Sequence, residues 1–364
     1  MRITVFITSL GGGGAERVAT TAMRHWVACG HDVTLVTLAP TDCDLNEAPD
    51  GVHRYALDLI DDSQTPWAGF RNNIARLRAT RRAFRAARPD VIVSWIDTTN
   101  VLALIAAHRL GTPVVVTEVV DPTQHELPRS WRVLRHVTYR WSRALVVISE
   151  GLRSWGARLV GADRVHVISN PVAVRPPPPP PPRSGRKRII TMGRLVPQKG
   201  IDLLLEAFAQ CADSYPDWEL AIYGEGPERD ALGALAQQLG IGERVMFLGF
   251  EPDSPSAFAQ ADVFALSSRF EGLPVALLEA MTCGLPAIAT DTSGGGPASA
   301  ITHGVDGYLV PLNDAQALAS SLARLLGDPD ERRRLGANAR RIVDRFGPAP
   351  IMAKWDALVD RVAS

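Results

Sequence analysis

The chain has 364 residues, 46% apolar and 21% charged, and its 39 Lys plus Arg balance 39 Asp plus Glu. That is the make-up of a globular protein of about two domains, and a neutral chain without a recognition module argues against nucleic acid as partner. Cys29, Cys43, Cys211 and Cys283 form no C-x-x-C pair and the eight histidines are scattered, so neither a disulfide framework nor a metal site is expected. The chain is expected to enter a strand at once, with no secretory leader, and no apolar run approaches the length of a membrane span. The expectation is a cytoplasmic protein, or one held peripherally on the inner face of a membrane. Only three lysines stand against 36 arginines, which draws attention to Lys199.

In the first half, short apolar runs alternate with helical patterns, the signature of a parallel sheet covered by helices. Strands are predicted at Ile3–Thr8, His31–Leu38, Val52–Leu57, Val91–Trp95, Val114–Thr117, Ala144–Ile148 and Val165–Ile168. Between the first strand and an amphipathic helix over Ala15–Ala28 lies Gly11-Gly12-Gly13-Gly14. Glycines there allow close backbone approach, and the helix start offers N–H groups to a phosphate or carboxylate. The run is not G-x-G-x-x-G, and no acidic residue closes the second strand, which weakens a dinucleotide-fold reading. Arg71–Arg88 carries seven arginines on a helical pattern, and Arg129–Arg143 carries five, interleaved with Trp131, Tyr139 and Trp141. Basic, aromatic amphipathic helices suit an anionic membrane surface, although an arginine-rich chain also yields plain solvated faces.

Arg175 is followed by seven prolines, Pro176–Pro182. Neither a helix nor a central strand holds such a run, so residues 173–187 read as a stiff linker between a lobe over 1–172 and a second lobe over 188–364. The second lobe repeats the alternation, with strands at Arg188–Thr191, Glu219–Tyr223, Val245–Leu248, Val263–Leu266 and Ala287–Thr290, and a helical tail from Asp314. The fold class is therefore α/β, with two doubly wound lobes. Ligands of open α/β sheets lie at the carboxyl ends of the strands.

Three strand-end turns of the second lobe carry chemistry. Gly193-Arg194 and Lys199-Gly200 place two cations on a turn into a helix, a set suited to a diphosphate. Gly224 closes a tight turn, and Leu248-Gly249-Phe250 offers backbone to a nucleobase edge. Glu271 and Glu279 straddle a turn containing Gly272 and Leu273, with Pro274 predicted at the first helical position. A carboxylate on each side of a helix start suits the hydroxyls of a sugar and of a ribose.

Taken in order, Gly13-Gly14-Ala15-Glu16-Arg17, Ile168-Ser169-Asn170-Pro171-Val172, Gly193-Arg194 with Lys199-Gly200, the Glu271-x7-Glu279 pair and Asp306-Gly307-Tyr308-Leu309-Val310 resemble the motifs of retaining glycosyltransferases with the GT-B fold, family 4 (glycosyl transferases group 1). The resemblance covers essentially the whole chain. It implies two Rossmann-like lobes facing across a cleft, the C-terminal helices packing back on the first, acceptor-side lobe. It also implies that Glu271 holds the transferred sugar, that Gly272 and Leu273 offer N–H groups, that Glu279 binds the ribose, and that Arg194 and Lys199 bind the diphosphate. Gly13, Gly14, Gly193, Gly224 and Leu248 complete the expected donor-binding set. The donor is expected to be a UDP-sugar, with no metal and no other cofactor, and the transfer a front-face substitution. Thr117-Glu118-Val119-Val120-Asp121-Pro122 lacks the histidine that many members place there. With Ser293–Pro297 it resembles members acting on polyprenyl-diphosphate-linked glycans, and Asp121 becomes the acceptor-side candidate. Ala298-Ser299-Ala300 stand where a glutamate is often found, which leaves donor selectivity open. A sugar-nucleotide epimerase and a non-catalytic nucleotide-sugar-binding protein are the alternatives. The first would need a general acid and base, and the second is disfavoured by the presence of Arg194, Lys199 and Glu271 together.

Overall fold

The computed structural model describes residues 1–11, 14–60, 66–119, 127–172, 178, 185–292 and 294–364. Gly13, Asp121, Ser293 and the proline run other than Pro178 lie outside the described residues. The chain forms two compact units, one of Met1–Asn170 with Ala349–Ser364, the other of Pro171–Pro348.

The first unit holds a seven-stranded sheet of β1 (Arg2–Ile7), β2 (Asp32–Thr37), β3 (Val52–Ala56), β4 (Val91–Trp95), β5 (Val114–Glu118), β6 (Ala144–Val147) and β7 (Val165–Val167), in the order β3-β2-β1-β4-β5-β6-β7. Every pairing is parallel, and β4, β5 and β6 are buried along their whole length. A sheet covered on both faces needs apolar residues on both, which is why these strands read as unbroken Val and Ile runs rather than as alternation. The chain leaves β1 in one direction along the sheet and resumes at β4 in the other. The strand order therefore reverses between β1 and β4, the place where such sheets take ligands.

The last helix, Pro348–Ala363, packs with this unit, as expected of the C-terminal helices, although it follows the second lobe in the sequence. Its Ile351, Met352, Trp355, Leu358 and Val359 are buried in one core with Ile3, Val5, Trp26, Leu35, Val93 and Trp95. Trp355 meets Trp26 edge-on at 6.2 Å and Trp95 at 5.5 Å. Asp356 anchors it by accepting from Trp26 Nε1 at 3.2 Å and by pairing with His25 Nε2 at 2.8 Å. The apolar face of a helix goes where apolar surface is left to cover.

The second unit holds a six-stranded parallel sheet of β8 (Lys187–Met192), β9 (Trp218–Tyr223), β10 (Val245–Gly249), β11 (Val263–Leu266), β12 (Ala287–Thr290) and β13 (Gly307–Val310), ordered β10-β9-β8-β11-β12-β13. The helix Ile201–Ala212 packs its Leu204, Leu205, Phe208 and Cys211 into a core shared with Trp218 and with Leu318, Leu322 and Leu325 of the helix Ala315–Gly327. Here too the order reverses, between β8 and β11, and these neighbouring strands carry the two turns that held the predicted diphosphate cations and the first of the two glutamates.

Candidate functional site

Because β8 and β11 are adjacent, the turns leaving their carboxyl ends meet, and a set of hydrogen bonds fastens them together. Arg269 N–H donates to the Gln198 carbonyl at 2.7 Å and Gln198 Nε2 to the Phe270 carbonyl at 3.0 Å. Arg269 also donates to the Pro197 carbonyl at 2.7 Å and forks onto Asp202 at 2.9 and 2.6 Å. Such a bidentate pair fixes orientation as well as distance. At the centre, Lys199 Nζ donates to Glu271 Oε1 at 2.5 Å, and Ser268 Oγ donates to the same oxygen at 2.7 Å.

Glu271 is buried at 7% exposure, and a carboxylate there without a counter-charge would be costly. Lys199 supplies that charge from 72 residues away in the sequence. Oε2 of Glu271 has no partner among the described residues and stays available to accept from a hydroxyl. Glu279 lies in the helix Val275–Thr282 and accepts from Ser254 Oγ at 2.8 Å. Pro274, expected at the first helical position, instead caps the helix in an extended conformation. The N–H groups of Gly272 and Leu273 have no acceptor among the described residues. Arg194 is exposed, and its guanidinium makes no ion pair among them. One edge of this unit thus carries a free guanidinium, an ammonium paired to a buried carboxylate, and unpaired N–H groups, a set able to hold anionic and hydroxylated parts of one ligand.

The glycines explain how the turns come so close. At Gly200, with φ +58, a Cβ would stand 2.2 Å from the Ser267 carbonyl oxygen. At Gly224, with φ +133, it would stand 1.9 Å from the Gly193 carbonyl oxygen. The N–H of Gly193, expected in the diphosphate-binding turn, is committed to the Tyr223 carbonyl at 2.9 Å, and that of Gly224, expected in a tight turn lining the site, to the Gly249 carbonyl at 2.7 Å. Their role here is close packing of turn on turn. Leu248 and Phe250, beside the kinked end of β10, are exposed at 44% and 74%, an apolar ledge suited to a planar base.

In the first unit Gly14 opens the helix Gly14–Ala28 after β1. The patch predicted over Arg129–Arg143 is two-faced. Arg135 and Tyr139 turn inward, because the helix Arg129–Thr138 must cover a buried acid at the end of β5. Tyr139 Oη donates to Glu118 Oε1 at 2.6 Å, and Arg135 Nη1 lies 3.8 Å from the same atom while stacking on Trp155. Asn100 Nδ2 donates to Tyr139 Oη at 3.0 Å and to the Thr117 carbonyl at 2.9 Å. Burial pushes Glu118 up to about 7, against the opposing pull of Tyr139 and Arg135 and with Asp97 adding to the rise. Burial likewise raises Tyr139 well above its ordinary value. Sequence reasoning used Glu118 only as a marker. The available signal was an acid ending an otherwise apolar strand, Val-Val-Val-Thr-Glu.

Two parallel-sheet units of this kind, with paired charges at the strand ends of the second, define a GT-B type of protein. The comparisons agree. The model for glycosyl transferases group 1 matches residues 177–342, and that for the glycosyl transferase 4-like domain matches residues 13–171. A lipopolysaccharide core biosynthesis glycosyltransferase, LpsE of Rhizobium meliloti, is 31% identical over 77% of this chain and 77% of its own length. The chain belongs to the family of glycosyl transferases group 1 and is a glycosyltransferase. A Campylobacter jejuni N-acetylgalactosaminyltransferase, named for a diNAcBac-PP-undecaprenol-linked acceptor, is 27% identical over all of this chain and 99% of its own. An exopolysaccharide phosphotransferase of Streptomyces coelicolor is 37% identical over 61% of this chain, which spans about a quarter (24%) of that relative's length. Among solved structures, Anabaena HepE in complex with UDP and glucose superposes with a TM-score of 0.78, at 20% identity and 99% coverage of each chain, a likeness of fold.

Gly200→Ala is expected to lower the Tm of the second unit by several degrees, since the new methyl meets a backbone carbonyl that must move. Gly240→Ala, at φ +73 with nothing within 4 Å of its Cβ position, should cost only about 1 kcal/mol from the left-handed conformation. Thermal melts of the two variants check this. Equal losses would contradict the close-approach account.

Proposed function

We propose that the protein is a retaining, metal-independent glycosyltransferase. It would move a hexose or N-acetylhexosamine from a UDP-sugar to a polyprenyl-diphosphate-linked saccharide, in the synthesis of a cell-surface polysaccharide or glycoconjugate. The observation that carries the reading is the Lys199–Glu271–Ser268 constellation, with Arg194 on the same turn. When the bond from the anomeric carbon to the diphosphate breaks, negative charge grows on the leaving oxygen. Arg194 and Lys199 are the cations placed to stabilise it, the part a divalent ion plays elsewhere. Glu271 Oε2 orients the sugar through its hydroxyls, and Glu279 takes the ribose. The acceptor oxygen bonds to the anomeric carbon on the face the nucleotide leaves, and its proton passes to the departing phosphate oxygen. No enzymic nucleophile is required. The donor class is supported by the UDP named in a structural neighbour, and the acceptor class by the undecaprenol-linked substrate named in a full-length relative. The first unit would take the acceptor.

A membrane-borne acceptor suits a basic surface with apolar relief. On the helix Arg129–Thr138 and the turn after it, Val133, Leu134, Val137 and Trp141 are exposed beside Arg129, Arg132 and Arg140. Arg78, Arg82 and Arg85 are exposed on the helix Pro66–Ala87. Arginine beside exposed apolar side chains is the pattern of a helix lying in an anionic interface. No described helix is long and apolar enough to cross a membrane.

Glu271→Gln keeps an oxygen for Lys199 and Ser268 but removes the charge. Transfer is expected to fall about 100-fold or more while the Tm changes by a few degrees at most. Near-normal turnover would refute the site assignment. Separately, Leu134→Glu with Val137→Glu should reduce cosedimentation several-fold with vesicles of phosphatidylglycerol and phosphatidylcholine. Unchanged binding, or equal binding to pure phosphatidylcholine, would return that helix to an ordinary solvated face.

A further inference from the structure

At the carboxyl end of β4, Ile96 has φ +78 and ψ +138, and among the described residues it is the only β-branched one with positive φ. A β-branched side chain in that region is strained, whereas glycine would adopt it freely. The place is specific. β4 and β1 are the neighbours at which the strand order of the first sheet reverses, so the Ile96–Thr98 turn faces the crevice where such sheets receive ligands.

The strained turn is braced from behind. Thr99 Oγ1 donates to the Ile96 carbonyl at 2.8 Å and also bonds the Trp95 carbonyl, and Asn100 N–H donates to the Ile96 carbonyl at 2.9 Å. Asn100 in turn hydrogen-bonds Tyr139, and Tyr139 hydrogen-bonds Glu118. All three are buried. Apolar residues of like volume would fill this space more cheaply than an acid, a phenol, an amide and the adjacent Arg135. Among the described residues Asn100 Oδ1, Thr117 Oγ1 and Arg135 Nη1 have no hydrogen-bond partner, so the polar cluster is not there to satisfy itself. A costly network holding a costly conformation at a ligand edge is a functional arrangement more often than a stabilising one.

We propose that the Ile96–Thr98 turn is an acceptor-contacting element that meets the hydroxyl-bearing saccharide end of the acceptor, and that Asn100, Tyr139 and Glu118 are positioning residues that hold it in place. The inference rests on the acceptor reading given above for the first unit. It separates that unit's task from donor binding, which belongs to the second unit's own residues.

The test is steady-state kinetics of the full chain with UDP-N-acetylgalactosamine, UDP-N-acetylglucosamine and UDP-glucose, against undecaprenyl-diphosphate-linked saccharides of one to four sugars. Tyr139→Phe cuts the brace while keeping the ring, and is expected to raise the acceptor KM at least fivefold and leave the donor KM within twofold. Glycine adopts the same backbone conformation without strain, so adding Ile96→Gly to Tyr139→Phe should bring the acceptor KM back to within twofold of the wild-type value. Glu118→Gln, which still accepts from Tyr139, should shift the acceptor KM less than Glu118→Ala. An unchanged acceptor KM in folded Tyr139→Phe overturns the inference, as does a failure of Ile96→Gly to restore it or a parallel shift of donor and acceptor KM. A wild-type protein that glycosylates none of the panel overturns the proposed function, and the inference with it.

Discussion

The structure of the second unit turns on one ion pair. A glutamate buried at the end of β11 is costly without a counter-charge at contact distance, and Lys199, on the turn after the neighbouring strand, supplies it at 2.5 Å. The pair requires β8 beside β11, the Gln198 and Arg269 hydrogen bonds that fasten the two turns, and Gly200, because a side chain there would strike the Ser267 carbonyl. In a partly dry environment such a pair is strong in attraction and expensive in desolvation, so its presence is weak evidence for stability. It is stronger evidence for a site, since it holds a cation and a carboxylate in fixed relation at the edge where an α/β sheet takes its ligand.

The first unit solves a different problem with similar means. Its buried acid, Glu118, is hydrogen-bonded to Tyr139 and lies 3.8 Å from Arg135, and burial lifts it to about 7. The same helix that sends Arg135 and Tyr139 inward shows Val133, Val137 and several arginines outward. One element therefore touches both a polar network at the strand ends and the solvent, and Trp355 of the final helix seals the sheet on another side.

Much of the fold was legible because parallel sheets covered on both faces write themselves as Val and Ile runs at regular intervals, and every strand but β13, which entered only through the family resemblance, was found within a residue or two. The placement of Glu271, Lys199 and Arg194 on strand-end turns was legible because each comes within a few residues of the end of such a run. Contacts between distant segments were not. That Lys199 pairs with Glu271 and that Asp202 receives Arg269 depend on strand order, and periodicity does not encode strand order; the packing of the last helix on the first unit was expected from the family resemblance alone. The inward turn of Arg135 and Tyr139 was hidden for a related reason. On a helix rich in arginine, composition suggests a uniformly basic face, and only the acid opposite decides which arginine is buried. The strain at Ile96 left no mark in the sequence at all, since an isoleucine after a strand looks ordinary.

The central claim is that Lys199 and its carboxylate partner form the core of a nucleotide-sugar site. Calorimetric titration of UDP into the wild-type protein and into Lys199→Met tests it most directly, since methionine keeps the aliphatic stem against Gly193 and deletes only the charge. The account predicts that the wild-type protein binds UDP and that the variant, still folded, binds it at least tenfold more weakly, about 1.4 kcal/mol. Equal affinity in the two proteins would contradict it.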